Sequence, residues 1–277
     1  MNQHYTPDVI ASLTIQLTSR DRNLIRLVWD HRVLTSHQIA RIAFNDSTTA
    51  RHRLVKLHDI SVLDRFRPQP PTGSAPWHYV LGKSGAAILA TEEGTEVSEF
   101  GYRRERVLSI SHSQRLAHTV GTNDVFAHLY GTARHTGGCN LHTWWSERRC
   151  ATQWGTHVRP DAYGRWTEDD MTLDFFLEYD TGTETIGRVA AKLDGYAALA
   201  TATGITTPVL FLTSSPRREI NLQERLQLRA SLISVPCATA VTGASPHEAI
   251  WLPHDRRGTR LRLAQLAGHW PLSSAHG

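Results

Sequence analysis

Cysteine is scarce in this sequence and forms no pattern that would bind a metal or build a disulfide framework. The three cysteines, Cys139, Cys150 and Cys237, lie far apart, and no two of them form a C-x-x-C pair. Zinc ribbons and disulfide-rich folds are therefore not expected. Long apolar runs are also missing, since none approaches the ~18–20 residues that cross a bilayer. No basic segment precedes an apolar stretch near Met1, so a secretory signal is not expected either.

These absences predict a cytoplasmic protein with no membrane association. The 277 residues are 40% hydrophobic and 20% charged, a composition that supports a packed core and argues against disorder. The length suits one large domain or two smaller ones. The net charge of +4 is modest, but basic and acidic residues are separated along the chain. Residues 19–67 carry an excess of five positive charges and residues 159–194 an excess of five negative charges, which indicates two regions with different roles.

The first 91 residues carry the pattern of a winged helix-turn-helix domain. Ser19 is the expected N-cap of a first helix, and Thr35 with Gln38 forms a capping box at the start of a second. A third helix is expected from Ser47. Residues 62–67 and 77–81 alternate like strands on either side of a proline-rich loop, 68–76, which would be the tip of the wing.

The third helix is the expected recognition helix, because its polar side chains suit contacts with phosphates and base edges. A small helical domain that contacts other proteins is the alternative. Gly82-Lys83-Ser84 does not complete a phosphate-binding loop, since Trp77 occupies the position of the required first glycine, so a nucleotide-hydrolysing motor is excluded. The side chains predicted to contact double-stranded DNA are Ser47, Thr48, Thr49, Arg51, His52, Arg53 and Lys56 on this helix, and Arg67 beside the loop.

The remainder of the chain is predicted to contain a helical linker region, 92–140, and an α/β domain, 141–277. Strand and helix patterns alternate in the second of these, which indicates a mixed central sheet. The apolar run Val209–Thr213 is the expected buried central strand. A helix is expected over Glu184–Ala200.

Acidic residues in the α/β region resemble those of PD-(D/E)xK nucleases of the restriction-endonuclease-like fold. Asp161 follows a proline at the start of a strand, and Glu178 follows an apolar stretch after a spacing typical of that pattern. Glu178 and Asp180 are two residues apart, so they lie on the same face of a strand. Carboxylates that converge from adjacent strands can hold Mg²⁺ or Mn²⁺ on a scissile phosphate. Asp161 and Glu178 are the expected metal ligands.

The motif is irregular at its third element, because Asp180 stands where the lysine is expected. Lys192, on the following helix, is the candidate replacement, and Arg188 is a competitor one turn earlier. Glu147 is a candidate further acid. The alternative interpretation makes Asp161 a turn residue, with Glu178 and Asp180 at a solvated strand edge.

Over residues 19–255 the chain resembles the replication-relaxation family, whose members come from plasmids and integrative elements. Three groups of residues carry this resemblance. They are Leu34-Thr35 with Gln38-Ile39-Ala40, Phe44, Arg53-Leu54 and Leu57; His118 with Asn123-Asp124; and Trp145, Glu147, Arg159-Pro160-Asp161-Ala162, Phe176 to Thr183, Lys192-Leu193 and Tyr196.

The resemblance implies a DNA-binding protein that acts in replication, DNA relaxation or mobilisation. It also implies catalytic roles for Asp161 and Glu178, with Glu147 or Asp180 as a further acid, in a Mg²⁺- or Mn²⁺-dependent nicking reaction. Other replication or transfer proteins of the element are the implied partners. The alternative function is a replication accessory factor or regulator with no enzymatic activity and no metal, whose α/β domain serves for homodimerisation or partner docking.

Overall fold

The computed structural model describes residues 7–69, 72–256 and 258–270. The chain divides into two compact units, Met1–Asn123 and Asp124–Gly277. Helices combine with a mixed sheet, so the chain is of the α+β class and the mixed central sheet expected from the sequence is confirmed.

The first unit contains short helices and a small antiparallel sheet. Strand β3 lies between β1 and β2, and the β2–β3 pair is the hairpin expected from the sequence. The elements are α1 (Pro7–Ile15), α2 (Ser19–His31), β1 (Leu34–Thr35), α3 (Ser36–Ala43), α4 (Ser47–Asp59), β2 (Leu63–Phe66), β3 (His78–Leu81), α5 (Lys83–Glu92), α6 (Arg104–Leu108) and the first part of α7 (Leu116–His135).

Helix starts in this unit are fixed by side-chain caps. Thr35 and Gln38 form the predicted capping box at α3. The prediction for α2 was wrong by one residue, because Thr18 is its N-cap and forms a capping box with Asp21. Each satisfied backbone N–H at a helix start contributes about 1 kcal/mol. The first helical turns are therefore specified locally.

The second unit is built on a six-stranded mixed sheet in the order β4-β5-β6-β7-β8-β9. Strands β4, β5 and β6 are antiparallel, β7 and β8 continue parallel to β6, and β9 is antiparallel to β8. Strand β7 is buried throughout and lies between β6 and β8, as predicted. The elements are β4 (Cys139–Ser146), α8 (Glu147–Trp154), β5 (Ala162–Glu168), β6 (Met171–Asp180), α9 (Ile186–Thr203), β7 (Val209–Thr213), α10 (Pro216–Gln227), β8 (Cys237–Val241), β9 (Leu252–Pro253) and α11 (Gln265–His269).

Side chains on the two faces of this sheet enter different cores. On one face Phe175 and Leu177 pack with Phe126 of α7 and with residues near the C-terminus. On the other face Phe176 and Phe211 pack with apolar residues of α9 and α10.

Gly164 allows the rings on the first face to approach the sheet closely. A Cβ atom at this position would lie 2.6 Å from Phe175 and 2.7 Å from Phe126, closer than real contacts permit. A glycine in β5 is therefore required by this close approach.

Two arginines that follow β9 hold this segment against buried acids of the sheet unit. Arg260 pairs with Glu219 of α10, with an Nη2–Oε2 distance of 2.7 Å. Arg262 donates from Nε to Glu168 of β5 at 2.9 Å. Glu219 and Glu168 are only 3% and 8% exposed, so each carboxylate depends on these hydrogen bonds.

Candidate functional site

Helix α4 presents an exposed polar face in the first unit. Asp46 caps the helix by accepting a hydrogen bond from the backbone N–H of Thr49 at 2.7 Å. Ala50, Leu54 and Leu57 are buried and fix the orientation of the helix. The opposite face is exposed and consists of Ser47, Thr48, Thr49, Arg51, His52, Val55, Lys56 and Asp59.

Arg53 does not lie on this exposed face. Its guanidinium donates to the carboxylate of Asp21, from Nε at 3.0 Å and from Nη2 at 2.6 Å. Asp21 is fully buried, and although burial opposes ionisation, the bonds from Arg53 and Thr18 keep the pKa of Asp21 below its usual value. Arg53 therefore links α4 to α2 inside the unit.

Arg67 lies at the base of the hairpin loop. Its Nε donates to the carbonyl oxygen of Ala75 at 2.7 Å, and its guanidinium also contacts Ser74. Arg65 lies over the ring of Trp77, 4.3 Å from its centroid, and Arg67 lies 5.5 Å from it. Part of the predicted wing tip, residues 70 and 71, lies outside the described residues. In the described part of the loop, contacts of Arg65 and Arg67 therefore hold the two ends of the loop together.

In the second unit the acids predicted from neighbouring strands lie together. Asp161 immediately precedes β5, and its Oδ2 accepts a hydrogen bond from the backbone N–H of Tyr179 in β6 at 2.8 Å. Ala162 is paired with Leu177, so this register sets Asp161 beside Glu178. Asp161 is 9% exposed and Glu178 2%. The two carboxylates therefore form a buried acid pair.

Helix α9 supplies the groups that hold Glu178. Lys192 donates from Nζ to Oε2 of Glu178 at 2.8 Å, and it also lies 3.2 Å from Oε2 of Glu184. Tyr196, one turn further along α9, donates its hydroxyl to Oε1 of Glu178. Lys192, the candidate replacement for the missing lysine of the motif, therefore contacts Glu178, and its catalytic role stays a prediction. The role of Tyr196 was not predicted, although its spacing of four residues from Lys192 places both on one helix face.

Burial and the charge of Asp161 raise the pKa of Glu178 to about 7, against the opposing effects of Lys192 and Tyr196. For Lys192 burial opposes the charged form, but Glu178 and Asp161 outweigh it and raise the pKa of the ammonium. These two pKa shifts disagree about the ion pair. The raised pKa of Glu178 favours a neutral carboxyl group, whereas the raised pKa of Lys192 favours a charged ammonium group. The lysine side chain keeps 31% of its exposure whereas that of the glutamate keeps 3%, so the burial cost falls mainly on the carboxylate.

Asp180 lies on the same face of β6 as Glu178 but has other partners. Its carboxylate accepts hydrogen bonds from Arg218, with Nη2 at 2.9 Å from Oδ1, and from the backbone N–H of Gly182 at 2.9 Å. Glu178 and Asp180 are 2% and 7% exposed, so the alternative of a solvated strand edge is wrong.

Glu147, the candidate further acid, is the first residue of α8. Burial is the main reason why the pKa of the nearby Cys150 thiol rises to about 12. The negative charges of Asp161 and Glu147 also raise this pKa.

The acid pair has too few ligands to hold a metal ion without help, so a cation here would need further ligands from a bound substrate. Among the described residues, no group of three or more His, Cys, Asp and Glu side chains is arranged to hold a metal. Mg²⁺ is usually held by only one or two protein carboxylates, with water and substrate phosphates completing its octahedron. Asp161 and Glu178 meet that smaller requirement, although both oxygens of Glu178 already accept hydrogen bonds.

The model of the replication-relaxation family matches residues 25–211. The chain belongs to the replication-relaxation family. The matched range includes α4 and the acid pair, and membership indicates a role in the replication or relaxation of a plasmid or similar element. No curated protein and no solved structure matches the chain significantly. Within the described residues, none of the helices has both the length and the apolar character required to cross a membrane.

Proposed function

We propose that this protein binds double-stranded DNA of the plasmid or integrative element that encodes it, and acts there in replication, relaxation or mobilisation. The observation that carries the proposal is the exposed face of α4. Its hydroxyl, imidazole and cationic groups are those that contact phosphates and base edges. Helices α3 and α4 followed by the β2–β3 hairpin have the order of a winged helix-turn-helix, in which α4 would enter the major groove.

The proposal assigns different roles to neighbouring arginines of α4. Arg51 and Lys56 are exposed and would neutralise phosphates, whereas Arg53 is engaged by Asp21. Each phosphate contact contributes about one unit to the slope of log affinity against log salt. The double variant Arg51→Ala/Lys56→Ala is therefore expected to bind more weakly and to have a slope smaller by about two units.

Fluorescence anisotropy with a duplex from the DNA flanking the gene, between about 50 and 200 mM salt, measures both quantities. Arg225→Ala is the matched control, because Arg225 is an exposed helical arginine of the other unit. It should leave affinity and slope unchanged. A wild-type affinity that does not depend on salt, or a double variant that binds like the control, would contradict the proposal.

The convergence of Asp161, Glu178 and Lys192 favours a second function, metal-dependent nicking of DNA. Asp161 and Glu178 would hold the Mg²⁺ or Mn²⁺, which when bound supplies an activated water and charge stabilisation at the phosphate. Lys192, whose Nζ lies 2.8 Å from Oε2 of Glu178, would stabilise negative charge that develops on the phosphate. Tyr196 fixes the orientation of Glu178 through its hydroxyl.

Conversion of a supercoiled plasmid that carries the flanking DNA to open circles tests this second function. Wild type should nick only with Mg²⁺ or Mn²⁺, while Asp161→Asn and Glu178→Gln should not nick and should bind DNA with nearly unchanged affinity. Asp170→Asn is the control, because Asp170 is an exposed acid outside the pair. A plasmid that shifts in a gel but is never cut would refute nicking and support the non-enzymatic accessory role.

A further inference from the structure

A group of half-buried aromatic rings lies on the side of the sheet that carries Glu178. Trp145 at the end of β4, Trp154 of α8 and Tyr163 of β5 contact one another, with ring centroids 5.1–5.3 Å apart. Each of the three rings retains partial exposure to solvent. Together with Arg149 they are called the aromatic platform below.

The platform is connected to the acid pair by buried rings. Trp154 packs edge-on against Phe176, with centroids 4.9 Å apart, and Phe176 lies 5.0 Å from Tyr196. The hydroxyl of Tyr196 donates to Glu178. Phe176 and Tyr196 are 3% and 2% exposed, so this part of the row is core and the platform is its solvent-facing end.

Arginine side chains accompany the exposed rings. The guanidinium of Arg149 lies over Trp145, 4.4 Å from the ring centroid. Arg165 extends from the same face of β5 as Tyr163, keeps 49% side-chain exposure and pairs with Asp174 at 2.7 Å. Tyr163 also donates its hydroxyl to Asp174, at 2.8 Å. The rings are therefore held in place by polar contacts at their rim.

On this side of the sheet α8 packs against β4 and β5 and supplies Trp154, so the platform lies at the edge of the core rather than on an open sheet face. Helices α9 and α10 supply the apolar core over β6, β7 and β8. Along β5 the burial alternates: Ala162, Gly164 and Trp166 are buried on the opposite face, while Tyr163 and Arg165 remain accessible. Trp154 and Tyr163 pack against this core and still keep part of their surface accessible to solvent.

We infer that the aromatic platform binds a single DNA strand by stacking bases on its rings, beside the Asp161–Glu178 pair. The inference rests on the proposed function, since it assigns to the second unit the strand that replication or relaxation exposes. Single-strand sites combine aromatic rings with cationic groups that follow the backbone, and Arg149 with Trp145 provides both. Guanidinium planes also stack on unpaired bases, which extends the ring surface outward. Paired bases in a duplex keep their faces stacked on one another, so the platform would select single strands.

The test compares binding of oligo(dT) of about 20 nucleotides with binding of the flanking duplex, both by fluorescence anisotropy. Arg149→Ala and Trp145→Leu should each weaken oligo(dT) binding about tenfold and leave duplex affinity unchanged. Trp145→Phe keeps a stacking ring and should retain most of the affinity. Arg51→Ala/Lys56→Ala should show the reverse behaviour, with duplex binding weakened and oligo(dT) binding kept.

The outcomes separate this inference from the proposed function. Duplex binding with no affinity for oligo(dT), or oligo(dT) binding that Arg149→Ala and Trp145→Leu do not change, overturns the inference alone. Loss of oligo(dT) binding in the α4 double variant also overturns it, because the strand would then bind to the first unit. If wild type binds neither probe, the proposed function fails as well. Arg149 is exposed, so Arg149→Ala should melt like wild type and keeps the test valid if Trp145→Leu unfolds.

Discussion

Glu178 makes the stability of the second unit depend on pH in an unusual direction. Burial and the neighbouring Asp161 raise its pKa from an ordinary 4.5 to about 7 in the folded protein. The folded state therefore binds this proton more tightly than the unfolded state does. The stabilisation is complete below about pH 4.5 and is lost as the pH rises through 7. Since one pKa unit corresponds to about 1.4 kcal/mol, the loss amounts to about 3.5 kcal/mol over the whole titration.

Glu178→Gln replaces the acid with a neutral group of the same shape and should remove this dependence. Urea unfolding of both proteins between about pH 5 and pH 8 measures the difference in the free energy of unfolding. The free energy of unfolding of the variant should rise relative to that of wild type by about 2.5 kcal/mol over this pH range. Burial lowers the pKa of His78, which affects both proteins equally and cancels in the difference. A difference that stays constant, or that favours wild type at high pH, would show that Lys192 offsets the buried charge and would refute the reasoning.

Further variants test other contacts through urea unfolding. Arg53→Met leaves the buried carboxylate of Asp21 unpaired and should cost about 3–5 kcal/mol; an effect under about 1 kcal/mol would contradict the pairing. Thr35→Ala removes the α3 cap and should cost about 1 kcal/mol, whereas Thr35→Ser should cost little. Gly164→Ala places a methyl group against two phenylalanine rings and should cost about 1–3 kcal/mol. Unchanged stability of Gly164→Ala would mean that the rings are free to move aside.

Elements whose signals are local were predictable from the sequence. The capping box at Thr35 and the apolar run of β7 were both interpreted correctly, because each depends on residues a few positions apart. A strand was expected to start at Asp161, and β5 begins at Ala162, but nothing near Gly164 in the sequence accounts for a glycine inside that strand. The glycine is explained only by rings that come from elsewhere in the fold. Helix α8 was missed, because it buries only Cys150.

The candidate site shows the same difference between local signals in the sequence and contacts that only the fold creates. The resemblance to the PD-(D/E)xK pattern predicted that Asp161 and Glu178 lie close together, and the register of β5 and β6 is what brings them together. The orientation of Lys192 depends on the phase of α9, which the sequence leaves open. Arg51 and Arg53 have the same local chemistry, and only the fold shows that Asp21 engages the second. No short pattern reveals a partner 32 residues away.

The arginines that follow β9 have a consequence for biosynthesis. As the chain leaves the ribosome, β4 to β8 emerge before the segment that pairs with β8 and supplies Arg260 and Arg262. Until then the outer edge of β8 is uncovered, and the acids Glu168 and Glu219 lack their arginine partners. An uncovered strand edge is the form in which chains most readily associate wrongly. The nascent sheet is therefore most exposed to misassembly until β9 and the two arginines that follow it have been synthesised.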